Sequence, residues 1–534
     1  MKNVLELLEH TAKCHGDKTA VDDGSVCYTF EELKDLAEKI GSSLASQVRP
    51  GTAVPVFSDK SADTLAVFLG IVEAGCFYVP VNPVQPDFRV KQILDTLDSG
   101  ILVSVPEQKE RLQALGFSGT LLMVDELKQT VEKAQVLEEI RAQMTDTDIL
   151  YAIFTSGSTG VPKGVLVSHR AVLDFIGYFT ELFHITDQDV IANQAPFDFD
   201  VSVKDIYSML RTGATMVIVP TAMFSTPPVL LDYLCEKRAT TLIWAVSALC
   251  LISGLKGLDY RVPDTVNKIL FSGEAMPVKH LNIWKKHLSD AAFVNLYGPT
   301  EITCNCTYYR IEREFGEQEK LPIGRPFPNR KVFLLAEDQS LVTEPGKNGE
   351  VCVAGTSLAS GYYRNPQQTA KAFVTNPFQK DYEEKIYKTG DLASYNEQGE
   401  LVFGGRKDFQ IKHMGHRIEL EEIELAINAA DGVERGFCTF DEERNRIAAY
   451  YVGICDKKEL RDLIEAHVAA TGSELGQKVL DQFDKYLPHF KKLIPNEYKK
   501  MITLSAKLEE KGLNSEQAQM EAFYESFQTK STEE

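Results

Sequence analysis

The sequence lacks any run of 18 or more apolar residues, so nothing in it predicts a transmembrane helix. Its first residues, MKNVLELLEHTAKCHGD, are amphipathic and lack the apolar core of a signal peptide. Positive charge is scarce, because 57 Lys and Arg against 77 Asp and Glu give a net charge of −20. Such a charge argues against wrapping nucleic acid. We therefore expect a cytoplasmic protein that binds neither membrane nor nucleic acid.

The ten cysteines include no CxxC pair. Cys304 and Cys306 are close in sequence, but no other ligand type accompanies them, and a zinc site is not predicted. Reduced and mostly buried thiols are expected. At 534 residues the chain is too long for a single hydrophobic core, which indicates at least two domains.

Strand and helix patterns alternate from about residue 50 to about residue 310. Apolar runs predict strands at 54–57, 76–81, 149–154, 214–220, 241–246, 268–273 and 292–298, with a helix at 61–73. Continuous apolar strands are typical of parallel sheets covered on both faces. The pattern predicts an α/β fold whose large N-terminal domain contains two parallel-rich sheets with flanking helices.

The pattern changes at about residue 322, where short strands are separated by Gly, Pro and Asn. After residue 405, ELEEIELAINAA predicts a helix and GFCTFDEERNRIAAYYVG a hairpin. We predict a core of residues 1–407, with a β-rich subdomain at 322–404, and a small α+β C-terminal domain at 408–534.

Loops rich in Gly, Ser, Thr and acidic residues follow three of the predicted strands, at 155–163, 273–274 and 297–301. In open parallel sheets, ligands bind at the carboxyl ends of the strands. We therefore expect these distant loops to meet at one crevice.

The first of these loops has the most distinctive composition: Thr155, Ser156, Gly157, Ser158, Thr159, Gly160, Val161, Pro162, Lys163 and Gly164. Glycines allow backbone amides to approach an anion, hydroxyls donate to phosphate oxygens, and the lysine adds a mobile cation. The order of residues is not that of a Walker A loop. A flexible linker is the alternative, but Pro-Lys-Gly is not linker composition.

With this loop and five further motifs, the chain resembles the adenylate-forming superfamily of acyl-CoA synthetases, luciferases and nonribosomal-peptide adenylation domains. The motifs are YTFEEL (28–33), YGPTE (297–301), GEVCVAGTSLASGYYRNP (349–366), YKTGDLA (387–393) and GRKDFQIKHMGHRIELEEIE (405–424). The resemblance implies a large N-terminal domain and a small, mobile C-terminal domain, with a hinge at Asp408.

The resemblance also implies ATP as a substrate with Mg²⁺, and it assigns residues to each part of the nucleotide. The triphosphate is assigned to Thr155, Ser156, Gly157, Ser158, Thr159, Gly160 and Lys163. The adenine is assigned to Tyr297 by stacking, with a lining of Ser272, Gly273, Glu274, Asn295 and Gly298. Thr300 is implied to contact the α-phosphate, Glu301 to ligate magnesium, and Asp391, with Arg406 nearby, to bind the ribose. Lys163, Thr300 and Glu301 are the implied catalytic residues.

These roles suit the chemistry, because carboxylate attack on the α-phosphorus joins two anions that bound cations must neutralise. An acidic side chain such as Asp391 suits ribose hydroxyls. Taken singly, each acid would more commonly be a surface carboxylate.

The class of carboxylic acid substrate is indicated by the segment NQAPFDFDVSV (193–203), which resembles the substrate motif of amino-acid-activating members. The resemblance implies that Asp200 pairs with the substrate's α-ammonium group. A carboxylate in a partly apolar pocket is costly without a cation, which favours an aminated substrate. Asp198 is a rival, and a helix cap is the alternative role for Asp200. The remaining pocket residues are predicted to be Val201, Lys204, Leu270, Ser272, Leu296, Cys304 and Asn305.

Within the family, the phrases around Asp200 and after residue 405 resemble stand-alone D-alanine–carrier-protein ligases. Those enzymes have a cysteine where this chain has Ser272. Lys204, one helical turn beyond Asp200, is unusual. It either faces solvent, as most lysines do, or enters the pocket and favours an acidic side chain.

The C-terminal segment departs from the family pattern, which ends near Asn-Gly-Lys with a lysine that bridges the substrate carboxylate and the α-phosphate. Here Glu509 stands at the corresponding place, and the nearest lysines are Lys507 and Lys511. No carrier motif occurs in the chain, so the acceptor thiol is expected on a separate phosphopantetheinylated carrier protein. We predict an AMP-forming amino acid–carrier protein ligase; the alternatives are an acyl- or aryl-CoA synthetase and a non-catalytic nucleotide-binding homologue.

Overall fold

The structure is a computed structural model that describes residues 1–156, 161–317, 319–407, 410–413, 416–428, 433–441, 446–453 and the single positions 477, 480 and 481. The chain divides into two compact units. The first comprises Met1–Ala429 and Gly436–Tyr450, and the second comprises Ala430–Arg435 and Tyr451–Glu534. The site described below lies wholly in the first unit. Asp408 lies outside the described residues, and the boundary at 407/408 stays a prediction.

The described residues form the following strands: β1 Thr19–Asp22, β2 Cys27–Thr29, β3 Ala53–Phe57, β4 Phe77–Val81, β5 Ile101–Ser104, β6 Thr120–Met123, β7 Ile149–Thr155, β8 Lys163–Ser168, β9 Val190–Asn193, β10 Thr215–Ile218, β11 Thr241–Ala245, β12 Lys268–Ser272, β13 Ala292–Tyr297, β14 Thr307–Arg310, β15 Arg325–Pro326, β16 Arg330–Leu335, β17 Leu341–Val342, β18 Gly349–Gly355, β19 Gly361–Tyr362, β20 Phe373–Thr375, β21 Lys385–Tyr395, β22 Leu401–Arg406, β23 Gln410–His413, β24 His416–Glu419, β25 Val433–Asp441 and β26 Arg446–Gly453.

The α-helices of the same residues are α1 Leu5–His15, α2 Phe30–Ala45, α3 Ala62–Glu73, α4 Asp87–Leu97, α5 Lys109–Ala114, α6 Val124–Lys128, α7 Ala134–Gln143, α8 His169–Leu182, α9 Val201–Thr212, α10 Pro227–Glu236, α11 Val246–Gly254, α12 Gly257–Tyr260, α13 Val278–His287, α14 Pro366–Ala372 and α15 Leu420–Asn428. Short 3₁₀ helices lie at Pro106–Gln108, Thr221–Ser225 and Thr300–Ile302. Within the described ranges, no helix has the length and apolar character needed to cross a membrane.

Two parallel-rich sheets form the centre of the first unit, as the sequence predicts. The larger has the order β15-β14-β13-β12-β11-β9-β10-β1-β2, and its strands from β13 to β1 are parallel. The smaller has the order β19-β8-β7-β4-β3-β5-β6, with β7 to β6 parallel. Central strands such as β3 and β4 are buried at every position, which explains their continuous apolar runs.

A third sheet, entirely antiparallel, joins β17-β16-β18-β21-β20 with β22 beside β21. It lies within residues 330–406, the part of the chain in which Gly, Pro and Asn separate short strands. The predicted helix and hairpin after residue 405 are present as α15 and the β25–β26 pair. The α/β fold class is therefore confirmed.

Local contacts fix the start of α3 and the adjoining ends of β7 and β8. Ser61 stands at the N-cap of α3, and its side chain accepts a hydrogen bond from the backbone N–H of Thr64. β7 and β8 are antiparallel neighbours, and their register pairs Thr155 with Lys163. Thr155 and Lys163 are thus both fixed by the smaller sheet.

Candidate functional site

A cavity of about 1240 Å³ lies at the carboxyl ends of strands from both parallel-rich sheets. Its wall includes residues that follow β3, β4 and β7 of the smaller sheet and β9, β10, β12 and β13 of the larger sheet. The loops that follow strands therefore converge on one crevice, as the strand-end argument predicts.

The cavity brings together thirteen of the predicted site residues, namely Thr155, Ser156, Asp200, Val201, Lys204, Ser272, Gly273, Gly298, Thr300, Cys304, Asn305, Asp391 and Arg406. Seven others are absent from its wall: Lys163, Leu270, Glu274, Asn295, Leu296, Tyr297 and Glu301. Gly157, Ser158, Thr159, Gly160 and Asp408 lie outside the described residues.

Asp391 is held by two partners from distant parts of the chain. Nη1 of Arg406 donates to its Oδ1 at 2.6 Å, and the hydroxyl of Tyr297 donates to its Oδ2 at 2.5 Å. The carboxylate is 1% exposed yet borders the cavity. Burial and the neighbouring carboxylate raise the pKa of Tyr297 well above its ordinary value, so this hydroxyl stays a donor. The arrangement orients an anionic acceptor toward the cavity.

Partly buried Lys163 and fully buried Glu301 form an ion pair, with Nζ of the lysine 3.8 Å from Oε1 of the glutamate. Tyr362 completes the cluster, because its hydroxyl donates to the same Oε1 at 2.9 Å and its ring centroid lies 5.0 Å from Nζ of Lys163. The residue before Glu301 in the chain, Thr300, reaches the wall. Glu301 is fully buried and adjoins this position.

The donor set beside the cavity fits Mg²⁺ carried by a triphosphate. Magnesium is commonly held by one or two carboxylates while substrate phosphates and water complete its shell, and Glu301, which follows Thr300 of the wall, would supply one such carboxylate. In the described part of the chain, the buried hydroxyl of Thr155 on the wall has no hydrogen-bond partner. Buried polar groups are normally paired, so this hydroxyl is available to a ligand oxygen.

Asp200 borders the cavity at the start of α9 and does not serve as a helix cap. It stands at the N-cap position with φ −63° and ψ −17°, and its side chain accepts no capping hydrogen bond. Its rival, Asp198, accepts hydrogen bonds from Asn82 at 3.1 Å and Gln85 at 2.7 Å. The capping alternative for Asp200 is therefore wrong, and the carboxylate of Asp198 is already bound by two side-chain amides.

Lys204 is buried on the cavity wall, so of its two predicted positions the one facing solvent is wrong. It is 1% exposed and borders the cavity, where its Nζ donates to Oγ of Ser272 at 3.2 Å and to Oδ1 of Asn305 at 3.0 Å. Desolvation by burial lowers the pKa of Lys204, and the carboxylates of Asp200 and Asp205 oppose this effect. Tertiary packing overrides the usual exposure of lysine.

Close backbone packing positions the wall opposite α9. A Cβ added to Gly298 would lie 2.6 Å from Cα of Asn305 and 2.7 Å from the carbonyl oxygen of Cys304. The chain turns there through Thr303 (φ 56°) and Cys304 (φ 72°), a left-handed conformation that non-glycine residues seldom adopt. The Cys304 thiol donates to the carbonyl oxygen of Asp200 at 3.1 Å. Such strain is common at ligand sites.

Four of the predicted residues that the wall lacks are placed in the interior of the larger sheet or beside the Asp391 carboxylate. Leu270 and Leu296 are 1% and 2% exposed within the main hydrophobic core. The amide of Asn295 donates to the carbonyl oxygen of Pro322 at 2.8 Å. Tyr297 is 6% exposed and is bound through its hydroxyl to Asp391. Their predicted ligand contacts stay predictions.

Lys60, which was not among the predicted site residues, follows β3 and borders the cavity. Its Nζ donates to the carbonyl oxygens of Gln194 at 2.8 Å and Asn193 at 3.2 Å, and burial lowers its pKa to about 8. Nearby Asp205 is fully buried, accepts from the Asn193 amide at 2.7 Å, and has a pKa raised by burial to about 7. The sequence feature that could have indicated Lys60 as a site residue is its position just after a buried strand.

The comparisons with known proteins agree with this architecture. Residues 8–363 match the family described as AMP-binding enzyme. The chain belongs to this family. The resemblance inferred from the motifs is therefore confirmed at the level of the adenylate-forming fold and its nonribosomal-peptide adenylation relatives.

Two curated relatives of this AMP-binding chain differ in how much of their own length it matches. Tyrocidine synthase 1 from Brevibacillus parabrevis is 30% identical over 84% of this chain, which spans only 40% of that relative. Zwittermicin A synthase ZmaJ from Bacillus cereus is 32% identical, over 80% of this chain and 81% of the relative. The chain thus spans less than half the length of the first relative and most of the second.

A solved structure shares the fold of this family member. The structure of holo-PA1221, described as an NRPS protein containing adenylation and PCP domains bound to a vinylsulfonamide inhibitor, superposes with a TM-score of 0.74. It is 24% identical, and the match covers 85% of this chain and 77% of that chain. This likeness shows the shared fold.

Proposed function

We propose that this protein activates an α-amino acid with ATP, forming aminoacyl-AMP and pyrophosphate, and then transfers the aminoacyl group to the phosphopantetheine thiol of a separate carrier protein. The observation that supports this most is the position of Asp200 on the wall of the cavity that also includes Asp391 and Arg406. One cavity of about 1240 Å³ thus combines a carboxylate suited to an ammonium group with a carboxylate suited to ribose hydroxyls.

In the first step, a carboxylate oxygen of the amino acid attacks the α-phosphorus of ATP. The bond from that phosphorus to the oxygen shared with the β-phosphate breaks, and pyrophosphate leaves with its electron pair. Mg²⁺, when bound, would neutralise phosphate charge. The hydroxyl of Thr155 and the ammonium group of Lys163 are suited to hold phosphate oxygens. Asp391, fixed by Arg406 and Tyr297, is suited to accept hydrogen bonds from the ribose.

In the second step, the carrier thiolate attacks the carbonyl carbon of aminoacyl-AMP, a C–S bond forms, and AMP leaves with the bridging oxygen. The adenylation–PCP pairing named for the solved structure supports a carrier as partner. The carrier and the cytoplasmic location are proposals. A role for Lys507 or Lys511 in place of the family's C-terminal lysine is also a proposal.

A pyrophosphate-release screen tests the proposal. All amino acids, in both enantiomers, are compared with octanoate and benzoate at fixed ATP and Mg²⁺. We expect release with at least one α-amino acid, because Asp200 favours an ammonium group, and none with acids that lack an amine. Release only with octanoate or benzoate would instead support an acyl- or aryl-CoA synthetase. Release with no acid of either class would support a non-catalytic nucleotide-binding protein.

A further inference from the structure

Lys204 is the most unusual group on the cavity wall that the proposed function leaves unexplained. Its side chain is 1% exposed, and its Nζ contacts two neutral acceptors, Ser272 and Asn305. An ammonium group has three N–H donors, so one remains for a ligand. Among the described residues, the side-chain oxygens that Nζ of Lys204 contacts are these two, and neither belongs to a carboxylate. Buried charges are normally paired directly.

The acidic residues around Lys204 do not provide a dedicated counterion once substrate is bound. Asp200 influences the lysine at longer range, but the proposed function commits this carboxylate to the substrate's α-ammonium group. Asp205 is buried, accepts a hydrogen bond from Asn193, and has a pKa of about 7, so it is only partly charged at neutral pH. Binding of an uncharged side chain would therefore leave two cations competing for Asp200.

We propose that the amino acid selected at this site has an acidic side chain whose carboxylate binds Nζ of Lys204, an inference that rests on the proposed function. The substrate then brings one ammonium group for the partly exposed Asp200 and one carboxylate for the buried Lys204, and both charges are paired. Asp200 and Lys204 are one helical turn apart, a spacing that places Cβ atoms about 5–6 Å from each other. An α-amino acid with one or two methylenes before its carboxylate, such as aspartate or glutamate, suits this spacing.

Matched pairs of substrates provide the first test. Amino acid-dependent pyrophosphate exchange is measured with aspartate against asparagine and glutamate against glutamine, in both enantiomers. Each pair has nearly the same shape and differs in charge. We expect kcat/KM for one acid to exceed that for its amide by about 10²-fold or more, because the amide leaves a buried cation unpaired.

Variants of the protein provide the second test. Lys204→Met keeps the length of the side chain and removes the charge, so kcat/KM for the acid should fall by about 10²-fold while that for the amide changes less than about threefold. Lys331→Met is the matched control, since this lysine is 63% exposed and paired with Glu384 on the third sheet. If Lys204→Met does not fold, the acid-to-amide ratio of the parent protein decides alone.

The outcomes separate this inference from the function on which it rests. Strongest exchange with an apolar or amide amino acid would overturn the inference and leave amino acid activation standing. An acid-to-amide ratio that Lys204→Met leaves unchanged would overturn the role of Lys204. Exchange with no amino acid would overturn the proposed function and the inference with it.

Discussion

Replacing Asp200 by Asn tests the residue on which the proposed substrate class depends. The structure removes the competing role, because the Asp200 side chain makes no capping hydrogen bond to α9. A charge-assisted hydrogen bond contributes about 1.5–3 kcal/mol net. Because Asp200 is partly exposed, we expect a loss within this range, which raises KM for the amino acid about 10- to 150-fold. KM for ATP should change less than about twofold.

The assay is pyrophosphate exchange with the amino acid and ATP varied separately. Asp198→Asn is the matched control, since its carboxylate is bound by Asn82 and Gln85 and lies two residues away. Thermal unfolding should show the same midpoint for parent and Asp200→Asn, because no cap is lost. An unchanged KM for the amino acid in Asp200→Asn would refute the assignment, and a raised KM in Asp198→Asn alone would transfer the role to Asp198.

Three further predictions concern other parts of the chain. His169 is fully buried with a pKa lowered by burial to about 4, below the value of 6.5 in the unfolded chain. The unfolded state therefore binds more protons between pH 6.5 and 4, and the contribution of His169 to the free energy of unfolding falls by about 3 kcal/mol as pH decreases through this window. Urea unfolding of His169→Asn should lack this loss. An identical pH dependence in parent and variant would contradict the assignment to His169. Asp408→Pro fixes φ near about −65° at the predicted hinge and should reduce carrier loading and adenylate formation unequally, whereas an equal loss of both would leave the hinge unsupported. If Lys507 or Lys511 replaces the family's C-terminal lysine, one of the variants Lys507→Ala and Lys511→Ala should lose pyrophosphate release by about 10²–10³ in rate, with carrier loading from synthetic aminoacyl-AMP unchanged. Parental rates in both variants would show that another group supplies the charge.

The fold was largely predictable because buried parallel strands leave continuous apolar runs in the sequence. The runs at 54–57, 149–154 and 268–273 correspond to β3, β7 and β12, with ends shifted by at most one residue. The convergence of strand-end loops followed from the topology of parallel sheets. The strands of the first 50 residues were not predicted, since β1 and β2 are short and half-buried and have weak patterns.

The site was less predictable, because its contacts join residues far apart in the chain. Lys204 meets Asn305, 101 residues away, and Tyr297 meets Asp391, 94 residues away. A single-residue preference places lysine at the surface, whereas tertiary packing brings Nζ of Lys204 to Ser272 and Asn305. The identity of Asp200 as a pocket residue came from the surrounding motif, which local spacing alone could not distinguish from a helix cap.

The central claim, that an amino acid carboxylate attacks the α-phosphorus of ATP, is tested most directly by following oxygen. The substrate identified by the screen is prepared with ¹⁸O in its α-carboxylate and incubated with the full chain, ATP, Mg²⁺ and hydroxylamine, which cleaves aminoacyl-AMP at its carbonyl carbon. We predict AMP with one ¹⁸O atom in its phosphate, together with pyrophosphate in equal amount. AMP without ¹⁸O, or ADP and phosphate in place of AMP and pyrophosphate, would contradict the account.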